Sequence, residues 1–334
     1  MGTKDELFKI FLLNEQQWIS GSQLAERLKI SRESIWKGVA ALRRQGHQIE
    51  SQRALGYRYL GTDHLDAAVI KMQTRDEFNG EIHTASSIDS TQNWAKQYLS
   101  SHQPSQPVAF LADQQTAGYG RRGRQFYSPQ KTGLYFSLVL PHNPMSALPK
   151  IGLLTTGVAV AVGRVLKQTF PDHDFSYKWV NDIYMNGHKV CGILTEATLE
   201  LESASSAALI VGIGINLSTV DFPAAVAQKA GSIAPEQTID RNQLAARLLV
   251  AIMNVYGEYD SGKFLPEYRA HSLVLKRPVV LKIGNDKAVG KAVDIDDQGG
   301  LVLEFADGTK KSFISGEVTK VDLPGMTSQW KFTV

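Results

Sequence analysis

A short stretch rich in glycine and arginine is the part of this sequence best suited to bind an anion. Residues 116–129 read TAGYGRRGRQFYSP and hold three glycines and three arginines. Glycine lets a backbone approach its ligand closely, and arginine offers paired donors that match carboxylate and phosphate oxygens. The stretch therefore predicts a mobile loop that closes over an anionic ligand.

This loop matches neither of the two common nucleotide-binding motifs. A Walker loop ends in Lys-Ser or Lys-Thr and opens a helix, and no such pair occurs here. The spacing of Gly118, Gly120 and Gly123 fits a dinucleotide motif, but the following FYSPQKTGLYFSLVL leads into a strand pattern instead of a helix. The loop must bind its ligand in another way.

The elements around the loop predict an α+β protein with several domains. Residues 63–270 alternate strand-like runs such as VAFLAD with helical runs such as TQNWAKQYL, which is typical of a mixed α/β domain. Residues 271–323 contain short strand-like runs separated by Gly, Asn and Asp turns, which predicts a small β-barrel. Residues 324–334 are left as a tail, and residues 1–62 form a separate N-terminal domain.

The N-terminal domain has the pattern of a winged helix-turn-helix. Ser22 or Gly21 is placed to cap one short helix, and Ser31 is placed to cap a second. Residues 47–60, HQIESQRALGYRYL, then predict two short strands around a turn. In such a fold the second helix enters the major groove of DNA.

Charge supports a polyanionic partner for this domain. Residues 1–62 hold ten Lys/Arg and six Asp/Glu, a net charge of +4, whereas the remainder carries −1. An alternative is a helical bundle used for protein contact, in which the tryptophan of the second helix packs instead of reading DNA. The residues expected to contact DNA are Ser22, Ser31, Arg32, Glu33, Trp36, Lys37, Arg53 and Arg58.

Composition favours a cytoplasmic protein without a membrane segment. The start MGTKDELFKIFLL lacks the pattern of a secretory signal, and Cys191 is the single cysteine, so no internal disulfide forms. The longest apolar run, residues 151–166, is short for a membrane span and contains three glycines and an arginine. We interpret it as a buried helix that packs closely through its small residues.

Five motifs in a fixed order give the chain a resemblance to a known family. They are IDSTQ at 88–92, ADQQTAGYGRRGR at 112–124, KWVNDIY at 178–184, HKVCGIL at 188–194 and GIGIN at 212–216. Together they resemble the biotin protein ligases, and the winged helix makes the chain similar to the bifunctional ligase and biotin-operon repressor members. The resemblance implies a central domain of the class II synthetase and biotin ligase type and an SH3-like barrel behind it.

The resemblance implies a two-step reaction on a biotin carboxyl carrier domain. Biotin and ATP, with Mg²⁺, give biotinyl-5′-AMP and pyrophosphate, and a carrier lysine then attacks the adenylate. Cations are needed because two anions must meet and charge spreads over the phosphoryl oxygens. The residues implied to be catalytic are Lys189, Arg121 and Arg124.

The same resemblance assigns the ligand contacts. Asp182 is the candidate for Mg²⁺. The residues implied to bind the nucleotide are Arg121, Arg124, Lys178, Asn181 and Asn216. The residues implied to bind biotin are Ser90, Thr91, Gln92, Gln115, Tyr119, Gly120, Arg121, Lys189 and Gly192.

The family also implies regulation and leaves alternatives. Biotinyl-5′-AMP is expected to act as corepressor by ordering the loop and pairing two subunits, so that a homodimer binds a two-fold symmetric operator. Tyr119 departs from the family, which places an arginine there. A biotin-sensing regulator with a degenerate ligase domain and a lipoate-type ligase remain open.

Overall fold

The computed structural model describes residues 3–142, 150–198 and 207–321. The expected tail, 324–334, lies outside them, and the predicted domain boundaries stay predictions. The α-helices are α1 Thr3–Leu13, α2 Gly21–Leu28, α3 Arg32–Arg44, α4 Ala67–Gln73, α5 Thr91–Leu99, α6 Ile151–Thr169, α7 Ala224–Ala227, α8 Arg241–Glu258 and α9 Leu265–Ala270. The strands are β1 Trp18–Ile19, β2 His47–Gln52, β3 Gly56–Thr62, β4 Glu81–Ala85, β5 Val108–Ala112, β6 Gly133–His142, β7 Ser176–Lys178, β8 Asp182–Met185, β9 His188–Thr198, β10 Ala207–Asn216, β11 Pro278–Ile283, β12 Asp286–Ile295, β13 Leu301–Glu304, β14 Lys310–Phe313 and β15 Glu317–Val321.

The N-terminal elements form a winged helix-turn-helix, as the sequence predicts. Helices α1 to α3 pack on a three-stranded sheet of order β1-β3-β2, in which β2 and β3 are the antiparallel wing. Ile35, Val39 and Leu42 recur along α3 and are buried against this core. Apolar residues at helical spacing thus fix which face of α3 remains outside.

The start of α2 differs from the expectation. Ser20 is the N-cap, and not Ser22 or Gly21, because the helix already begins at Gly21. The Ser20 hydroxyl accepts from the Gln23 amide at 3.1 Å, and the Gln23 side chain accepts from the Ser20 amide at 3.0 Å, which completes a capping box. Ser31 caps α3 as predicted, accepting from the Ser34 amide at 3.1 Å.

Removing this cap should weaken the DNA-binding domain. We expect Ser20→Ala to lower its free energy of unfolding by about 1 kcal/mol, since the Gln23 amide loses the hydroxyl that accepts from it. Ser22→Ala is the matched control, because Ser22 is the second residue of α2 and its hydroxyl accepts from the exposed Arg32 side chain. We expect this variant to change the free energy of unfolding by no more than about 0.5 kcal/mol. Urea unfolding followed by Trp fluorescence measures both, and equal losses would contradict the assignment of the cap.

The central domain is built on a seven-stranded sheet of order β4-β5-β6-β10-β9-β8-β7. Strands β4 and β5 are parallel and the other pairs antiparallel. Residues of β5 alternate between the faces: Ala109 and Leu111 join the large core with α6 and α8, while Val108 and Phe110 pack beneath α5. The sheet is therefore covered on both faces.

Helix α6 occupies the predicted apolar run. Among the described residues it is the helix long and apolar enough to cross a membrane by length and composition, but 72% of that window is buried in the protein. A Cβ at Gly163 would lie 2.3 Å from the Tyr177 hydroxyl, and one at Gly157 would lie 2.9 Å from the Phe264 ring. The glycines therefore allow the close packing that the sequence predicts for a core helix.

The C-terminal strands form a five-stranded antiparallel sheet of order β14-β13-β12-β11-β15. Register shifts occur in the β11–β15 and β12–β13 pairs, and such bulges bend a sheet. Closure of the sheet into an SH3-like barrel stays a prediction. Contacts with the central domain include the Trp179 indole, which donates to the Gly299 carbonyl at 2.9 Å.

Candidate active site

The basic loop adopts a compact turn that sends its arginines in two directions. Tyr119 pairs with Gln125 across the turn, and the Gly120 amide donates to the Arg124 carbonyl at 2.8 Å. A single 3₁₀ turn spans Arg121–Gly123, with Arg122 at φ 59°. The left-handed backbone conformation of Arg122 turns the chain, so the side chains of Arg121 and Arg124 face different surroundings.

Arg121 faces inward, toward the KWVND motif. Its Nη1 donates to the Asn181 Oδ1 at 3.3 Å, and Asn181 donates in turn to the Ile193 carbonyl at 2.8 Å. Burial lowers the pKa of Arg121, and the nearby Asp182 carboxylate opposes that effect. The guanidinium is thus partly desolvated and held in place, which suits a group that stabilises charge on a ligand.

Lys189 and Lys178 lie around the same carboxylate. The Lys189 Nζ is 2.7 Å from the Asp182 Oδ1, and Asp182 is aligned with Gly192 in the β8–β9 pair. A Cβ at Gly192 would lie only 3.0 Å from the Lys189 Nζ, so glycine leaves room for this ammonium. Burial lowers the pKa of Lys178, with Asp182 acting in the opposite direction. The Asp182 carboxylate thus forms an ion pair with Lys189 and acts electrostatically on Lys178 and Arg121.

A polar cluster surrounds the start of α5. Ser90 caps the helix, and its hydroxyl accepts from the Gln92 amide at 3.2 Å. The Thr91 amide and hydroxyl donate to the Gln115 Oε1 at 2.9 and 3.1 Å, while Gln92 accepts from Ser137 at 2.9 Å. The structure therefore brings together the four predicted biotin contacts of the IDSTQ and ADQQT motifs. The hydrogen bonds among these side chains hold each donor and acceptor in one position. Such an arrangement favours a ligand whose own hydrogen-bonding groups have a defined geometry.

Phe126 lies against Gly192, one of the predicted biotin contacts, and the motif analysis did not point to it. A Cβ at Gly214 would lie 2.5 Å from the Phe126 ring, and one at Gly192 would lie 3.5 Å from it. The ring follows the basic loop and covers the glycines of β9 and β10. The signal was present in GIGIN, because a glycine inside a strand often marks the close approach of another group.

Tyr119 joins a charged network in place of the arginine expected there. Its hydroxyl donates to the Asn93 Oδ1 at 3.1 Å and accepts from the Lys96 Nζ at 3.0 Å. Lys96 also pairs with Glu196 at 2.9 Å, and Glu196 accepts from the Gln92 side chain. Burial acts to lower the pKa of Lys96, but the hydrogen bonds to Tyr119 and Glu196 raise it overall. The positive charge at this end of the loop is therefore supplied by α5.

Asn216 lies at the end of β10 and is buried. Its side-chain amide donates to the Gly231 carbonyl at 3.2 Å, whereas its Oδ1 accepts no hydrogen bond within the protein. The Asp182 Oδ1, which is also buried, differs because it contacts the Lys189 ammonium at 2.7 Å. A buried acceptor normally finds a donor or a cation, so the Asn216 Oδ1 is suited to contact a ligand.

Glu317 of the C-terminal sheet holds the two outer arginines of the loop, and no sequence motif pointed to it. Its carboxylate lies 3.2 Å from the Arg122 Nη1 and 2.5 Å from the Arg124 Nη1. The hydrogen bond from Arg124 lowers the pKa of Glu317 below its usual range. The two predicted ligand contacts Arg121 and Arg124 thus point in different directions. Arg121 faces Asn181 inside the central domain, whereas Arg124 pairs with Glu317 of the C-terminal sheet.

Weakening this ion-pair cluster should free the loop. Glu317→Gln removes the charge shared by Arg122 and Arg124, and exposed pairs are worth about 0.2–1 kcal/mol each. We expect tryptic cleavage within residues 121–124 of the unliganded protein to accelerate about 2- to 30-fold, as measured by mass spectrometry of timed digests. Glu304→Gln, in strand β13 of the same sheet, serves as control. Equal rates in wild type and Glu317→Gln would contradict a restraining role.

The predicted DNA face is presented by α3. Trp36 is 60% exposed, and Lys37 lies 2.7 Å from Glu33 on the same outer face. Arg32 donates to the Ser22 hydroxyl at 2.6 Å and so links α2 with α3. Arg53 is exposed in the wing turn, but Arg58 pairs with Glu50 at 2.6 Å and covers the Trp18 ring. Most of the predicted set is accessible, while Arg58 is engaged within the domain.

Fold and side-chain placement together define the class: a winged helix-turn-helix protein whose central domain carries a cluster of lysine and arginine side chains suited to an anionic ligand. Comparison with protein families agrees with this description. The Biotin/lipoate A/B protein ligase family matches residues 84–216, an HTH domain matches 4–58, and the Biotin protein ligase C terminal domain matches 274–321.

The chain belongs to the biotin protein ligase family, in its bifunctional ligase/repressor branch. The bifunctional ligase/repressor BirA of Bacillus spizizenii is 31% identical over 318 residues, covering 93% of this chain and 96% of the relative. The BirA of Escherichia coli is 30% identical over 317 residues, covering 93% and 95%. The biotin protein ligase of Aquifex aeolicus, solved with biotin and ATP, is 28% identical with a TM-score of 0.59, covering 74% of this chain and 100% of that structure.

Proposed function

We propose that this protein joins biotin to a lysine of a biotin carboxyl carrier domain and represses transcription in its adenylate-bound form. The observation that carries the ligase activity is the placement of Lys189, Lys178 and Arg121 around Asp182, with the buried polar cluster of Ser90, Thr91 and Gln115 in the same domain. The cations suit a carboxylate and a triphosphate. The polar cluster suits the ureido ring.

The first step needs the cations because both reactants are anionic. A biotin carboxylate oxygen attacks the α-phosphorus of ATP, the bond to the bridging oxygen breaks, and pyrophosphate leaves. Lys189 is placed to contact the biotin carboxylate and the α-phosphate together, while Arg121 stabilises the charge that spreads over the phosphoryl oxygens. In the second step a carrier amine attacks the acyl carbon, AMP leaves, and the amine loses a proton.

Magnesium fits this site through Asp182. Mg²⁺ in nucleotide sites is commonly held by one or two carboxylates together with substrate phosphates. The Asp182 Oδ1 is buried and contacts the Lys189 ammonium at 2.7 Å, so this carboxylate would be free to hold the ion once Lys189 turns to its anionic substrates. When bound, the ion would neutralise phosphate charge, and Asp182 also orients Lys189 for its substrate.

The repressor function rests on the winged domain. The exposed outer face of α3, with Arg32, Trp36 and Lys37, is suited to the major groove, and Arg53 in the wing is suited to phosphate. We infer that the adenylate orders the basic loop, that two subunits then pair, and that the dimer spans a symmetric operator. Unmodified carrier domain would compete with the second subunit and so direct the protein to ligation.

One assay separates the ligase from its alternatives. Purified protein is incubated with ATP, Mg²⁺ and a carrier domain, with either biotin or lipoate, and the carrier mass is followed. A gain in mass with biotin supports the proposal. A gain only with lipoate would instead favour a lipoate-type ligase, and no gain with either would favour a regulator with a degenerate ligase domain.

The repressor function has its own test. Binding of the protein to DNA upstream of biotin synthesis or transport genes should tighten when biotin and ATP are added together. The affinity should fall with salt. Lys37→Ala should reduce the magnitude of the slope of log K against log salt by about 2, because each of the two subunits loses one phosphate contact. Binding that ignores the ligands would remove the proposed switch.

A further inference from the structure

Two histidines and an aspartate meet where the winged domain joins the central domain. His47 begins β2 of the wing, and His64 and Asp66 lie in the connection between β3 and α4. The Asp66 Oδ2 is 3.7 Å from the His47 Nε2 and 4.0 Å from the His64 Nε2. One ligand atom from each residue lies within 4.8 Å of the other two.

These distances suit a shared ion better than direct contact. At 3.7 and 4.0 Å the Asp66 Oδ2 is too far from either Nε2 atom for a hydrogen bond. A tetrahedral Zn²⁺ with bonds of about 2.0–2.1 Å holds neighbouring ligand atoms about 3.3 Å apart. Small side-chain movements would therefore bring all three atoms to bonding distance of one ion.

The other polar atom of each side chain is already held by the protein. The His47 Nδ1 bonds the Tyr59 hydroxyl at 3.2 Å, and the His64 Nδ1 bonds the Thr62 hydroxyl at 2.5 Å. The Asp66 Oδ1 accepts from the Ala68 and Val69 amides at the start of α4. Metal-binding histidines are usually oriented through their second nitrogen in this way, which leaves both Nε2 atoms and the Asp66 Oδ2 for the ion.

From this arrangement we propose that His47, His64 and Asp66 bind a divalent transition metal of the Zn²⁺ class. Two imidazoles and one carboxylate form a donor set that such ions accept, with a fourth position left for water. His47 is 4% exposed, so this ligand is anchored in the domain core and is not a mobile surface side chain.

The location gives the ion a structural consequence. The Asp66 amide donates to Asn242 of α8 at 2.9 Å, and the Asn242 side chain donates back to the His64 carbonyl at 2.9 Å. The two connection ligands are thus fixed to the central domain, whereas His47 belongs to the wing. A bound ion would cross-link the two and hold the DNA-binding domain in one orientation on the ligase domain.

The proposal is tested by titrating the metal-free, full-length protein with Co²⁺ alone and then with Zn²⁺. The protein carries no histidine tag, because a tag would itself bind these ions. We expect one Co²⁺ per chain, with the visible absorption of a tetrahedral site, and its displacement by one Zn²⁺. His64→Ala and Asp66→Asn should each weaken binding at least 10-fold, and Thr62→Val should weaken it about 10- to 100-fold.

Matched variants keep the test independent of folding. Asparagine still caps helices well, so Asp66→Asn preserves the start of α4 while removing the carboxylate. His102→Ala, an exposed histidine after α5, should bind as tightly as wild type. Far-UV circular dichroism and melting of each metal-free variant establish that it is folded. Absence of a stoichiometric site, or equal affinity in wild type, His64→Ala and Asp66→Asn, would overturn the proposal.

Discussion

Replacing Lys189 by methionine should slow biotinyl-5′-AMP formation by about 10²–10³-fold while the protein remains folded. The ammonium lies 2.7 Å from Asp182, and the adjacent Gly192 leaves space beside it. Methionine keeps much of the apolar stem and removes the charge that offsets repulsion between the reacting anions. The measurement is the initial rate of pyrophosphate release from biotin and ATP, with saturating and subsaturating biotin to separate kcat from KM.

Two controls make the Lys189→Met result specific. Lys291→Met makes the same substitution at an exposed lysine of β12. It should leave the rate of pyrophosphate release within about a factor of two of the wild-type rate. Lys189→Arg keeps a positive charge but changes its shape and reach, so it should restore only part of the rate. Undiminished pyrophosphate release by Lys189→Met, in a protein that melts like wild type, would show that the assignment from the family motif is wrong.

Arg121→Ala should have the second largest effect, a loss of about 10²-fold or more in kcat/KM for ATP. Of the loop arginines, it is the one whose side chain reaches Asn181 and faces Asp182. Its loss leaves the phosphate end of the site with only the lysines. Arg121→Lys should not recover full activity, because a single ammonium cannot replace two parallel donors.

The matched comparison is Arg122→Ala, since that side chain already pairs with Glu317. It should lower kcat/KM by less than Arg121→Ala. Arg124→Ala measures whether that arginine leaves Glu317 when ATP binds: a loss as large as that of Arg121→Ala supports its predicted catalytic role. Equal small effects for all three variants would contradict the division of the loop into one inner arginine, Arg121, and two outer arginines, Arg122 and Arg124.

Much of the site could be predicted because its residues lie in short motifs with a local physical meaning. Glycines and arginines in one loop indicate close approach to an anion, and Ser90 is both a helix cap and part of the polar cluster. The apolar spacing in α3 likewise fixed which of its residues face outward. Such features depend on residues within a few positions of each other, so the sequence displays them directly.

Other partners could not be predicted because they come from distant parts of the chain. Glu317 lies 193 positions from Arg124, and no local pattern distinguishes it from other surface carboxylates. Lys96 sits on an amphipathic helix, where a lysine is ordinary, until the fold places it beside Tyr119. The boundary error at α2 had another origin, since Ser20 and Ser22 are both good caps and only the backbone decides between them.

The sequence by itself determined the family, the order of domains and the chemical character of the loop, because motif order and apolar periodicity are local properties. Tertiary structure decided which arginine faces the ligand site and how the Tyr119 position acquires a positive charge. It also decided that His47 meets His64 and Asp66 at the domain junction. The physical reason is common to all three: electrostatic and metal-binding partners act over a few ångströms in space, and only the folded chain sets which side chains lie that close.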